Sequence, residues 1–99
     1  MKGGITLDTR IRIRSDVVSR DLDGEAVILN LTTGVYFGLD PVGTTIWQAL
    51  TRDPTLSAAL AAVLAEYDVT PDEAEWDLLR LVVALRENEL VDVERGAAA

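Results

Sequence analysis

The sequence predicts an α+β domain, a small antiparallel sheet followed by a layer of helices. The hydrophobic pattern changes period once: residues 17–39 alternate as strands do, and residues 41–88 repeat at helical spacing. Turn and cap residues fall at the joints between these segments. A run of strands followed by a run of helices packs as an α+β unit, not as a parallel sheet with alternating crossovers. The 99 residues are enough for one such domain.

Each element has its own signal. Arg10-Ile11-Arg12-Ile13-Arg14 alternates and reads as a further short strand with its arginines on one side. Asp23-Gly24 stands between two β-rich runs, 17–22 and 25–31. That pair suits a type I′ hairpin, whose two central residues need positive φ. Along the second run Val27, Leu29 and Leu31 share a face. Thr32-Thr33-Gly34 turns the chain into a third strand, residues 35–39, with Val35, Phe37 and Leu39 on one face and Tyr36 and Gly38 on the other.

Asp40-Pro41 opens the first helix, a capping carboxylate followed by proline at a position where its missing N–H costs nothing. Ile46, Trp47 and Leu50 are its apolar contacts. After Asp53-Pro54, Thr55 caps a second helix, residues 56–67, with Leu56, Leu60, Val63 and Leu64 as its stripe. Thr70-Pro71-Asp72-Glu73 is a capping box for a third helix that reaches about Asn88. Residues 90–93 form a short strand or an extended tail. The expected organisation is a flexible segment over residues 1–9, the domain over 10–93, and a disordered tail over 94–99.

Composition excludes whole classes of chemistry. The chain contains neither Cys nor His, so thiolate nucleophiles, imidazole relays and the usual zinc and iron–sulfur ligands are absent. No catalytic group, cofactor or metal is expected. No disulfide framework points to an oxidising compartment, and no apolar run reads as a signal peptide or a membrane span. The expected location is the cytoplasm. The net charge of −8 argues against general polyanion binding. Residues 1–20 carry five basic groups against two acidic ones, whereas residues 66–77 carry six acids and no base.

Two features remain after the core is assigned. The third helix has a core stripe of Ala74, Leu78, Leu81, Val82 and Leu85, and a second stripe of Trp76, Leu79 and Val83 flanked by Arg80 and Glu87. Either the helix is central and buried on both sides, or the second stripe lines a groove for a partner. The third strand is an edge in a three-strand meander, yet Val35-Tyr36-Phe37-Gly38-Leu39 contains no proline and no charge. Such an edge is either covered by the domain or open to strand addition.

With these elements in place, the sequence resembles the PqqD-like family. The residues concerned are 24–31 (GEAVILNL), 33–40 (TGVYFGLD), Val42-Gly43 with Ile46-Trp47, 64–69 (LAEYDV), Asp77, Leu85, and Leu90-Val91. The resemblance implies a winged helix-turn-helix of three strands and three helices. It further implies a RiPP recognition element, a domain that binds the leader segment of a ribosomally made precursor peptide. The leader is expected to add as a strand to the third strand and to pack against the third helix. The matching strand positions are Val35, Tyr36, Phe37, Gly38 and Leu39; the periodicity adds Trp76, Leu79, Arg80, Val83 and Glu87 on the helix.

The stand-alone form and the lead-in at Ile11-Arg12-Ile13-Arg14 look most similar to leader-binding subunits of lasso-peptide pathways. That resemblance implies partners: a separate leader peptidase and a macrocyclase, with leaders that offer an aromatic residue and a proline. A monomer or weak dimer is expected, with no nucleic-acid or membrane partner. Other readings are a DNA-binding winged helix, a peptide chaperone for a radical SAM maturase, a self-pairing adaptor and a carboxylate-only enzyme. Against DNA, the third helix begins with Asp72, Glu73, Glu75 and Asp77, and its first base is Arg80.

Overall fold

The computed structural model describes residues 5–94. Its strands are β1 (Arg10–Ile13), β2 (Val17–Leu22), β3 (Glu25–Asn30), β4 (Tyr36–Gly38) and β5 (Val91–Glu94). Its helices are α1 (Pro41–Arg52), α2 (Leu56–Glu66) and α3 (Pro71–Glu87). Strands β2, β3 and β4 form an antiparallel meander in that order, followed by the three helices. The α+β arrangement expected from the sequence is therefore present. A second, two-stranded sheet joins β1 to β5, from Arg10 opposite Glu94 to Ile13 opposite Val91. The alternating arginine segment and the C-terminal apolar residues are thus partners of each other.

The local signals act as their chemistry requires. Asp23 and Gly24 have φ of 57° and 85°, so the β2–β3 turn is left-handed at both central positions. Asp40 Oδ1 accepts the Gly43 N–H at 2.7 Å, Thr55 Oγ1 accepts Ala58 N–H at 3.4 Å, and Thr70 Oγ1 accepts Glu73 N–H at 3.2 Å. All three helices therefore begin at the capping residues read from the sequence. Asp72 and Glu73 add negative charge where the α3 dipole favours it.

The core lies between the inner face of the meander and the helices. Ile28 from β3, Ile46 and Trp47 from α1, Leu56 and Val63 from α2, and Leu78, Val82 and Leu85 from α3 are buried in it. On β3 the buried set is Ala26, Ile28 and Asn30, so Val27 and Leu29 point to the outer face and Leu31, just beyond, is exposed. On α2, Ala59 is buried where the stripe suggested Leu64, which is 36 % exposed. Ile5 and Leu7 pack against the core and Thr9 is buried. Packing against the core therefore extends back to Ile5. At the other end β5 includes Glu94, while residues 1–4 and 95–99 of the expected flexible segment and tail lie outside the described residues.

One polar side chain stitches distant parts of the fold. Asn30 is fully buried, donates to the Glu89 carbonyl at 2.7 Å, and accepts the Thr32 and Thr33 N–H groups at 2.8 and 2.9 Å. It ties the end of β3 both to the turn leading into β4 and to the link between α3 and β5. Asn30→Ala removes the side-chain amide and all three bonds, leaving their partners unsatisfied. Urea denaturation should show a loss of about 2–4 kcal/mol, larger than an exposed substitution causes.

Candidate functional site

Strand β4 pairs with β3 alone among the described residues, with Val27 opposite Gly38, Ile28 opposite Phe37 and Leu29 opposite Tyr36. Its hydrogen-bonding parity follows from the flanking bonds. Asn30 N–H donates to the Val35 carbonyl at 3.0 Å, and Leu39 N–H donates to the Ala26 carbonyl at 2.8 Å. Positions 35, 37 and 39 therefore face β3. Antiparallel alternation turns the N–H and C=O groups of Tyr36 and Gly38 toward the open side. The other sheet edge, β2, carries Arg20 and Asp21, charges that blunt an edge; β4 has none.

The first turn of α1 sets where this edge lies. Thr44 Oγ1 accepts the Ala26 N–H at 2.8 Å in a buried bond between helix and sheet. A Cβ on Gly43 would sit 3.1 Å from Asp40 Oδ1 and 3.3 Å from Leu39 Cδ2, tighter than side chains ordinarily tolerate. Glycine at this position thus lets α1 approach the end of β4.

Between β4, α1 and α3 runs an open groove of about 510 Å³. Phe37, Gly38, Leu39 and Asp40 line it from β4 and the turn that follows, and Val42, Gly43 and Ile46 from α1. The α3 wall is Asp77, Arg80, Leu81 and Ala84, an i, i+3, i+4, i+7 series that lies on one helical face. Its rim pairs Arg80 Nη1 with Asp77 Oδ1 at 4.0 Å, both largely exposed and so weakly coupled.

This geometry places the residues expected from the sequence in three groups. Phe37, Gly38, Leu39 and Arg80 line the groove. Val35 is half-buried at the start of the edge, and Tyr36 is 70 % exposed on the outer sheet face. The side-chain parity of the strand thus sends Phe37 toward the groove and Tyr36 away from it. Trp76, Leu79, Val83 and Glu87 do not line the groove. At about 100° per residue, Trp76, Leu79 and Val83 lie on the far flank of the core stripe from Asp77, Leu81 and Ala84. Leu79 packs against the core from that flank and Trp76 is 64 % exposed. The groove positions missing from the sequence reading are Val42, Gly43, Ile46, Asp77, Leu81 and Ala84. The spacing of the last three with Arg80 is a visible signal, but the core stripe claims Leu81.

A second depression lies around Arg12, Arg14, Asp16, Thr32 and Asp92. Its charges satisfy one another: Arg12 pairs with Asp92 at 3.0 Å, and Arg14 with Asp16 at 3.4 Å and Asp92 at 3.7 Å. Asp16 is held below its ordinary pKa by the Thr32 hydroxyl, helped by the Arg14 hydrogen bond and charge. Two of the three arginines on the basic strand are therefore engaged with carboxylates. Among the described residues no group of three or more His, Cys, Asp or Glu is placed to hold a metal ion, and no helix is long and apolar enough to cross a membrane.

The chain matches the family described as Coenzyme PQQ synthesis protein D (PqqD) over residues 25–91. That stretch holds β3, β4, all three helices and the first residue of β5, and the chain belongs to the PqqD family. Two solved structures share its fold. TbiB1 in complex with the TbiA(beta) leader peptide is 41 % identical, with a TM-score of 0.77 over 82 % of this chain and 94 % of that one. Lasso peptide synthetase B1 complexed with the leader peptide is 26 % identical, with a TM-score of 0.75 over 84 % of this chain and 98 % of that one. No curated protein matches the chain.

The placement of Trp76 is directly testable. Because it is mostly exposed, Trp76→Ala should change the unfolding free energy by less than about 1 kcal/mol. A loss of roughly 3–5 kcal/mol in chemical denaturation, the cost of truncating a core aromatic, would place it in the core instead.

Proposed function

We propose that this chain is a non-catalytic module that captures the leader segment of a ribosomally made precursor peptide. The leader adds as a strand to β4 and packs into the groove against α3. The observation that carries this reading is the uncharged, proline-free edge of β4 facing a groove lined by α1 and α3. Family membership and the two leader-bound relatives support it. The partners in this reading are a separate leader peptidase and a macrocyclase, to which the module presents the precursor.

Magnitudes divide the labour between edge and groove. Tyr36 and Gly38 offer two donors and two acceptors. At about 0.5–1.5 kcal/mol net each, these give roughly 2–6 kcal/mol. A Kd of 1 μM requires about 8 kcal/mol, after the entropy of ordering a flexible peptide has been met. Backbone pairing therefore fixes register, while the groove supplies the remaining affinity and the specificity. Phe37, Val42, Leu81 and Ala84 select apolar leader side chains, and Asp77 and Arg80 place one charge of each sign at the rim.

The paired arginines of the β1 region and the acids that open α3 disfavour a DNA-binding role. Fluorescence anisotropy with the labelled cognate leader should give saturable binding at tens of micromolar or tighter; absence of binding there refutes the proposal. Ala84→Trp fills the groove from a half-buried position and should weaken binding at least tenfold with little change in the thermal midpoint. N-methylation along the leader should weaken binding at every second residue within the paired segment, because only alternate N–H groups meet β4. A uniform effect along the peptide would exclude strand addition.

A further inference from the structure

The contacts at the first turn of α1 hold the groove together only where β4 ends. Where β4 begins, a hydrogen-bond path runs from strand to helix through Asn30. Its backbone N–H donates to the Val35 carbonyl at 3.0 Å, and its own carbonyl accepts the Gly34 N–H at 2.8 Å. Its side-chain oxygen takes the Thr32 and Thr33 N–H groups, so one residue closes the whole turn that leads into β4. The remaining arm, Nδ2, donates to the Glu89 carbonyl at 2.7 Å. Among the described residues this is the only hydrogen bond between residues 17–39 and residues 70–90.

Glu89 is itself held for this contact. It follows α3 in the left-handed conformation, φ 61°, which residues other than glycine seldom adopt. The Glu89 N–H donates to the Arg86 carbonyl at 3.0 Å and the Leu90 N–H to the Leu85 carbonyl at 2.9 Å, the pair of bonds that closes a Schellman end. One turn back, the Ala84 carbonyl accepts the Asn88 N–H at 3.0 Å and Asn88 Nδ2 at 2.8 Å, and Ala84 lines the groove. The path thus joins the residue before β4 to the last groove position on α3.

We propose that Asn30 is a positioning residue for leader capture: it fixes the start of β4 against the end of α3, so that edge and groove stand ready in the free chain. This rests on the leader-binding reading above. Asn30 is fully buried, so it acts without touching the peptide. Apolar packing alone lets two surfaces slide, because it is non-directional. A buried side-chain amide does not, because parting it from its acceptor leaves it unsatisfied. Without the tie, a smaller fraction of molecules has both sides of the groove in place. The apparent Kd rises by the inverse of that fraction. The association rate falls with it, while a complex once formed dissociates as before.

The test compares Asn30→Ser with Val63→Ala at a temperature where circular dichroism shows both folded. A serine hydroxyl can still take the Thr32 N–H but does not reach Glu89. Val63 is buried in the α2 part of the core and lies outside the groove, so its truncation loosens the fold elsewhere. Stopped-flow anisotropy with the fluorescein-labelled leader of the cognate precursor reads both rates. The expected result for Asn30→Ser is association slowed about fivefold or more with dissociation within about twofold of wild type, and for Val63→Ala both rates within about twofold. Wild-type rates in Asn30→Ser overturn the proposal. So does weakening carried by faster dissociation, or equal slowing in Val63→Ala. Should Asn30→Ser not fold, hydrogen exchange of the Asn30 side-chain amide in the wild-type chain decides. Slow exchange before leader is added supports the tie, and protection that arises only with leader overturns it. Failure of the wild-type chain to bind leader overturns the underlying reading and this proposal with it.

Discussion

The first turn of α1 fastens the helices to the sheet, and the site depends on that joint. Three contacts converge within residues 39–44: the Asp40 cap on Gly43, the close approach of Gly43 to Leu39, and the buried Thr44 bond to the Ala26 N–H. Together they hold the end of β4 against the start of α1. Helix α3 then packs Leu78, Val82 and Leu85 into the core and leaves Leu81 and Ala84 turned toward β4. The groove is what remains between an edge strand and a helix that are both fixed elsewhere. It is built on regular elements, not on loops, so its width is set by core packing.

In the proposed leader-binding reading, edge and groove have separate tasks. The edge gives directional but side-chain-blind hydrogen bonds, and the groove gives selective apolar contact. By the magnitudes above, the edge hydrogen bonds alone fall short of micromolar affinity. The chain contains neither Cys nor His, so the proposed binding rests on backbone groups, aliphatic side chains and the Asp77–Arg80 rim. The −8 charge is placed to matter as well: Asp72, Glu73, Glu75 and Asp77 crowd the start of α3, where a nucleic-acid reader would need positive charge.

Local chemistry was legible in the sequence, and non-local geometry was not. Asp23-Gly24, Asp40-Pro41, Thr55 and Thr70-Pro71 each act within three residues of themselves, so their meaning survives without knowledge of the fold. The β1–β5 pairing joins residues about eighty positions apart, and nothing in either segment names the other. The edge of β4 was readable because strand parity is local. The groove face of α3 was not, because that helix is apolar on three sides. Trp76, Leu79 and Val83 compete with Leu81 and Ala84 on equal terms until the sheet chooses a flank. The side chain of greatest apparent promise, Trp76, is largely exposed and lies outside the groove.

The central claim is that β4 receives a peptide strand through Tyr36 and Gly38. Residue-resolved amide hydrogen exchange, with and without saturating leader, measures this most directly. Strand addition predicts strong new protection at the Tyr36 and Gly38 amides, while the Phe37 amide, already bonded to β3, changes little. Protection confined to the α3 surface, with Tyr36 and Gly38 exchanging as fast as in the free chain, would contradict it.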